Sequence, residues 1–169
     1  MAEIWKDIPG YEGLYQVSDT GKVRHLPRVT QDGRQVGMRM LRRQRSDKYG
    51  HKIVALADRE GNVSRRFVHR LVLLAFVGPC PEGLEVCHND GRGWNNRLEN
   101  LRYDTRSSNQ IDCVKQGKNN FAKLNEESVR AIRKGFEEGV SAINLGKQFG
   151  VSREAIYNVV KRKTYDWIK

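Results

Sequence analysis

Long apolar runs are missing from this chain of 169 residues. The longest, Leu71 to Val77, has seven residues, against the roughly 20 that a helix needs to cross a bilayer. The opening MAEIWKD has no apolar stretch either, so neither a membrane span nor a secretory leader is expected. Cysteine is scarce: Cys80, Cys87 and Cys113 include no CxxC pair, which argues against a disulfide framework and a structural zinc. Acidic residues are in deficit, with 20 Asp+Glu against 31 Lys+Arg and a net charge of +11. Only 38% of residues are hydrophobic, and the mean hydropathy is −0.71. So low an apolar fraction favours several thin cores over one deep one. Three Trp, six Tyr and five Phe, spread through patterned segments, nonetheless exclude a disordered chain. What is left is a soluble, cytoplasmic, basic protein, a class that most often meets nucleic acid.

The charge is not gathered in one tail. Residues 1–60 carry net +4, residues 61–110 net +2 and residues 111–169 net +5. The densest stretch holds Arg34, Arg39, Arg42, Arg43, Arg45, Lys48 and Lys52 against Asp47 alone. Such a run reads either as a solvated loop or as a set of phosphate contacts, each of which would release counterions and make binding salt-sensitive. Basic ends around a nearly balanced middle suit a grip on an extended polyanion at two places.

Residues 1–28 read as short strands between turns at Pro9-Gly10 and Thr20-Gly21, with Trp5, Tyr11 and Tyr15 as base-stacking surfaces or, more in keeping with a small module, as its core. Residues 29–50 read as loop or edge strand. From Lys52 a strand, the turn Asp58 to Asn62 and a second strand to Val68 make a hairpin. His69 to Phe76 reads as a short buried helix stopped at Gly78-Pro79, with His69 as a hydrogen-bonded packing residue. A strand ending at His88, a tight turn at Asn89-Asp90-Gly91, a returning strand at Leu101-Arg102-Tyr103 and a helix capped by Thr105 follow. Residues 115–122 have linker composition. Beyond them Val129, Ile132 and Phe136 place one apolar face on a helix over residues 126–138.

Residues 141–162 carry a sharper pattern. Ser141 and Ser152 stand at N-cap positions, Gly146 is small where two helices would cross, and Gly150 sits where a turn needs positive φ. Ile156 and Val159 then face back, which is helix-turn-helix spacing. The stretch KLNEESVRAIRKGF…GVSAINLGKQFGVSREAIYNVVKRK resembles the resolvase- and transposase-like helix-turn-helix family. Its second helix would enter the major groove with Ser152, Arg153, Glu154, Tyr157, Asn158 and Lys161 toward the bases, and Lys161, Arg162 and Lys163 near phosphates.

The segment EVCHNDGRGWNNRLENLRYDTRSSNQ, residues 85–110, is the richest in chemistry. His88 ends a strand, Asn100 lies twelve residues on and Asn109 nine further. Phosphodiester hydrolysis needs a base for water and a cation for the charge gathering on phosphate and leaving oxygen. Imidazole suits the base because its ordinary pKa, about 6.5, leaves it partly neutral near pH 7. This segment resembles the HNH nuclease family. IWKDIPGYEGLYQVSDTGKVRHL and VHRLVLLAF also look like the N-terminal module and active-site lead-in of phage HNH homing endonucleases. The resemblance implies His88 as general base, Asn100 as the residue that braces the loop and orients it, and Asn109 as a metal ligand. Where several relatives carry a metal-binding Asp, this chain has Cys87, a poor magnesium ligand, so Asp90 or His69 could contribute. Asn95 and Asn96 read as loop bracing and Arg97 as a phosphate contact.

The expected fold is therefore α+β: a β-rich DNA-binding module over residues 1–50, a ββα-metal nuclease core over 51–114, a linker over 115–122 and a three-helix module over 123–169. The expected function is that of a homing-type endonuclease, acting as a monomer on double-stranded DNA with Mg2+ or Mn2+ and cutting one strand per binding event. The alternative is a DNA-binding protein that keeps a degenerate nuclease scaffold.

Overall fold

A computed structural model describes residues 2–29, 33–41, 45–116 and 123–169. The fold is α+β, and the chain divides into two compact units, residues 1–109 and 110–169. Among the described residues no helix is long and apolar enough to cross a membrane.

The first unit is built from short antiparallel strands. Strands β1 (Trp5–Asp7), β2 (Tyr15–Ser18), β3 (Val23–His25) and β6 (Arg39–Met40) form a sheet in the order β1-β2-β3-β6. Strands β4 (Arg28–Val29) and β5 (Gln35–Val36) pair separately. Strands β7 (Arg45–Ser46), β8 (Lys52–Ala57) and β9 (Val63–Phe67) make a second sheet, so the basic segment expected as loop or edge is a run of two-residue edge strands. The hairpin register sets Ile53 opposite Phe67 and Ala57 opposite Val63. Helix α1 (Val68–Phe76) follows β9 directly. Its residues Val68, Leu71, Val72 and Leu73 are buried, as an amphipathic helix requires.

The expected boundary near residue 50 is not a gap in packing. Ile8, Tyr15, Val17 and Val23 share one apolar cluster with Val54, Leu56, the buried face of α1 and Leu101. Strands this short carry too few side chains each to close a core alone, so the two halves pool them. Of the N-terminal aromatics, Tyr15 is in that cluster and Tyr11 packs on it, while Trp5 lies under the Arg24 guanidinium at 4.0 Å. Strands β10 (Leu84–His88) and β11 (Leu101–Thr105) complete the unit, His88 lying opposite Leu101. Helix α2 (Arg106–Lys115) starts where Thr105 Oγ1 accepts from the Ser108 amide at 3.2 Å.

The second unit holds α3 (Glu126–Glu137), α4 (Ala142–Phe149) and α5 (Arg153–Val160). Asn125, Ser141 and Ser152 cap them by accepting from the amides of Ser128, Asn144 and Ala155. Val129, Ile132, Leu145, Ile156 and Val159 form its core. Gly150 ends α4 at φ 66°. Gly146, expected where two helices cross, packs against the start of α5: a β-carbon there would lie 2.8 Å from the Val151 carbonyl oxygen and 3.6 Å from the Arg153 nitrogen. Arg133, which sequence reasoning did not single out, gathers the carbonyls of Val159, Tyr165 and Ile168 and ties the C-terminal segment to α3. The turn backbone has little room to move, so Gly146→Ala is expected to destabilise this unit by about 1–3 kcal/mol, read as a lowered melting temperature of the full chain.

Candidate active site

Asn100 closes the loop between β10 and β11. Its side-chain oxygen accepts from the Asp90 amide at 3.0 Å, and its nitrogen donates to Asp90 Oδ1 at 3.0 Å and to the Asn95 carbonyl at 2.8 Å. Asp90 in turn accepts from the Arg92 amide and from Asn95 Nδ2. Burial alone would raise its carboxyl pKa. The hydrogen bonds from Asn95, Arg92 and Asn100 outweigh that and hold it below the ordinary range. Both oxygens of Asp90 thus brace the loop through hydrogen bonds.

His88, 8% exposed, enters this loop at the end of β10. Its Nε2 lies 3.2 Å from Asn96 Oδ1. An amide oxygen only accepts, so Nε2 carries the hydrogen and Nδ1 keeps the lone pair a base needs. The resemblance assigns orientation of His88 to Asn100. In the structure that hydrogen bond comes from Asn96, and Asn100 acts on the loop backbone instead. Burial, and to a smaller degree His51, hold the His88 pKa below its ordinary value, with the Asn96 hydrogen bond opposing. His69 is 6% exposed and, contrary to expectation, its Nδ1 is buried without a hydrogen-bond partner among the described residues. Burial first, then His88 and His51, push its pKa down to about 3. It packs 5.1 Å from His88, ring centre to ring centre, as a neutral wall.

Two glycines let distant segments touch the loop. A β-carbon on Gly21, at φ +82°, would lie 2.6 Å from Asn96 Cβ and 2.9 Å from its carbonyl oxygen. One on Gly93 would lie 2.7 Å from the His51 ring and 2.8 Å from the Tyr49 carbonyl. The Leu98 amide also donates to the Asp19 carbonyl at 2.8 Å. The turn at residues 18–21 therefore backs the residue that holds His88.

On the helix side, Asn109 Nδ2 donates to Glu85 Oε1 at 2.8 Å, and Ser108 Oγ to Asp104 at 2.7 Å. Glu85 shares a strand face with Cys87, by the two-residue period of a strand. Cys87 is 1% exposed, with its thiol turned to the Glu85 carbonyl at 3.8 Å. Among the described residues no three His, Cys, Asp or Glu side chains form a metal cluster. The oxygens of Asn109 and Glu85 match a hard, largely hydrated cation, which needs few protein ligands; they do not match a closed thiolate site.

Of the other candidates, Arg45 is exposed on β7 and Arg97 is exposed with an ion pair to Glu99 at 3.0 Å. Arg42 and Arg43 lie outside the described residues. In the second unit Ser152, Arg153, Tyr157, Lys161 and Arg162 are exposed on or beside α5, while Asn158 is half-buried with its carbonyl taken by the amides of Lys163 and Thr164. Sequence reasoning missed Glu85, Asp47 and His51 and undervalued Asn96. Only the richness of 85–110 in polar residues hinted at Glu85 and Asn96.

Residues 3–57 match the NUMOD4 motif and residues 66–111 the HNH endonuclease family. The chain belongs to the HNH endonuclease family. Like this HNH chain, DNA endonuclease I-HmuI of Bacillus phage SP01 is a relative, 36% identical over 122 residues, which are 72% of this chain and 64% of that protein. An uncharacterised HNH endonuclease of Acanthamoeba polyphaga mimivirus is 29% identical over 170 residues, 96% of this chain and 39% of its own. The HNH chain thus spans less than two thirds of the length of either relative. A solved structure of I-HmuI, reported for DNA binding and cleavage, superposes with a TM-score of 0.54 at 29% identity, covering 95% of this chain and 91% of that one.

Two outcomes follow for this HNH site. Gly21→Ala pushes on Asn96, so it is expected to shift the His88 ring-proton resonances while the chain stays folded, checked by NMR beside a thermal melt. His69 is favoured neutral in the fold, with its pKa lowered from 6.5 to about 3. Its contribution to stability is whole above about pH 6.5 and is lost as pH falls toward 3. Melting temperature against pH is expected to fall less steeply over that window in His69→Phe than in the parent chain.

Proposed function

We propose that this chain is a metal-dependent DNA endonuclease of the homing type, in which His88 Nδ1 takes a proton from the attacking water. The observation that carries this reading is the buried His88–Asn96 hydrogen bond, which fixes the tautomer with Nδ1 as acceptor. The water oxygen bonds to phosphorus, the P–O3′ bond breaks, and the loop braced by Asn100 keeps His88 in place through the step. A divalent cation, Mg2+ or Mn2+, would neutralise charge on the phosphate and the leaving oxygen. Asn109 and Glu85 are the residues that would hold it. One such centre cuts one strand, so a monomer nicks, or makes a double-strand break by two successive nicks. Arg45 and Arg97 serve phosphates, and α5 reads the major groove through Arg153 and Tyr157, with Lys161 and Arg162 on the backbone. The cytoplasm of a phage-infected or bacterial cell is where such an enzyme would meet DNA.

The buried thiol of Cys87 favours a second reading, a DNA-binding protein without catalysis. Supercoiled plasmid with Mg2+ or Mn2+ separates the two. The parent chain is expected to nick it and His88→Ala to lose about 100- to 10,000-fold in rate. Because burial keeps the His88 pKa low, the acid limb of the rate profile is expected below about pH 6.5. Chelator-insensitive binding with no nicking selects the second reading.

A further inference from the structure

His51 sits between β7 and β8, far in sequence from the nuclease segment, yet its ring is stacked on that of His88. The centres are 5.6 Å apart and the planes 24° from parallel. It also lies 5.0 Å from His69. Asp47 builds the position. One carboxylate oxygen accepts from the amides of Tyr49 and His51 at 2.8 and 2.9 Å, and the other lies 2.9 Å from His51 Nδ1. The Asp47 carboxyl is held below its ordinary range, burial opposing and the hydrogen bonds from His51 and Tyr49 prevailing. On the far side Gly93 leaves no room between the nuclease loop and the ring. His69 is a buried wall and His88 is nearly buried, whereas the His51 side chain keeps 31% of its surface open.

A carboxylate on Nδ1 fixes the ring and leaves Nε2 as its second polar atom. We propose that His51, oriented by Asp47, is a second catalytic imidazole of the cleavage centre and donates a hydrogen bond from Nε2 to a non-bridging oxygen of the phosphodiester attacked at His88. This rests on the endonuclease reading above. No proton is transferred through His51. His88 takes the water proton, the new O–P bond forms, the P–O3′ pair leaves with the 3′ oxygen, and that oxygen takes a proton from solvent. The His51 N–H meets the charge that gathers on the phosphate between those events, the kind of preorganised donor whose removal costs about 100- to 1,000-fold in rate. Among the described residues the charged or titratable groups facing the ring are Asp47 and Tyr49 from its own turn, His69 from α1 and His88 from β10.

The full chain, as parent, His51→Phe, His51→Gln and Asp47→Asn, is tested on supercoiled plasmid with Mn2+. His51→Phe keeps a flat ring against His88 and removes the donor; His51→Gln restores a donor without the ring. The expected result is a single-turnover rate lower by about 100-fold for His51→Phe, with unchanged duplex affinity in chelator and unchanged melting temperature. His51→Gln is expected to recover part of the rate, and Asp47→Asn to fall between it and the parent. A separate readout is the His51 Hε1 resonance, expected to move on titration with a metal-free DNA duplex. His51→Phe nicking within about twofold of a fully active parent removes His51 from the mechanism and leaves the endonuclease reading standing. Rate loss that follows a lowered melting temperature in both His51 variants, or a resonance that DNA does not move, assigns His51 to packing and overturns the proposal. A parent chain that nicks no DNA overturns the endonuclease reading and the proposal together.

Discussion

The side-chain amide of Asn100 closes a twelve-residue polar path between β10 and β11, and everything placed on that path depends on it. The loop buries few apolar groups, so packing alone would leave it mobile. Three hydrogen bonds from one amide, continued through Asp90 to Asn95 and Arg92, replace that packing with a connected network. Such a network is worth having only when each member is satisfied, because a buried polar group left unpaired costs about 1–3 kcal/mol. His88 inherits its rigidity from this loop and its tautomer from Asn96.

The loop is then pressed from two sides by backbone that passes close. Gly21 admits Asn96 on one side, and Gly93 admits His51 and the Tyr49 carbonyl on the other. The turn at 18–21 and the turn at 47–51 both belong to the N-terminal half, whose strands share a core with α1 and Leu101. The N-terminal half, whose basic charge reads as a grip on a polyanion, thus also forms the walls around His88. Three imidazoles meet there with different fates set by exposure and partners: His69 neutral and sealed, His88 oriented as an acceptor, His51 held by a carboxylate with its outer edge open.

The helical unit is a simpler case, since its signals are local. N-caps at Ser141 and Ser152, the left-handed Gly150 and the apolar period of α3 all sit where spacing places them, because each depends on neighbours within a turn or two. Gly146 belongs with them: a β-carbon there would meet the Val151 carbonyl and the first residue of α5.

The strand that ends at His88, the returning strand, the helix bearing Asn109 and the three C-terminal helices were legible in the sequence itself, as was the concentration of polar side chains in residues 85–110. Those features follow from period, caps and composition. Tertiary structure decided which Asn holds the base, since Asn96 and Asn100 differ only in where the closed loop points them. It also decided that Asp90 braces the loop, that Glu85 meets Asn109, and that His51, held by Asp47, stacks on His88, 37 positions further along the chain. Such pairings arise from antiparallel strands brought together by a shared core, and no local spacing encodes them.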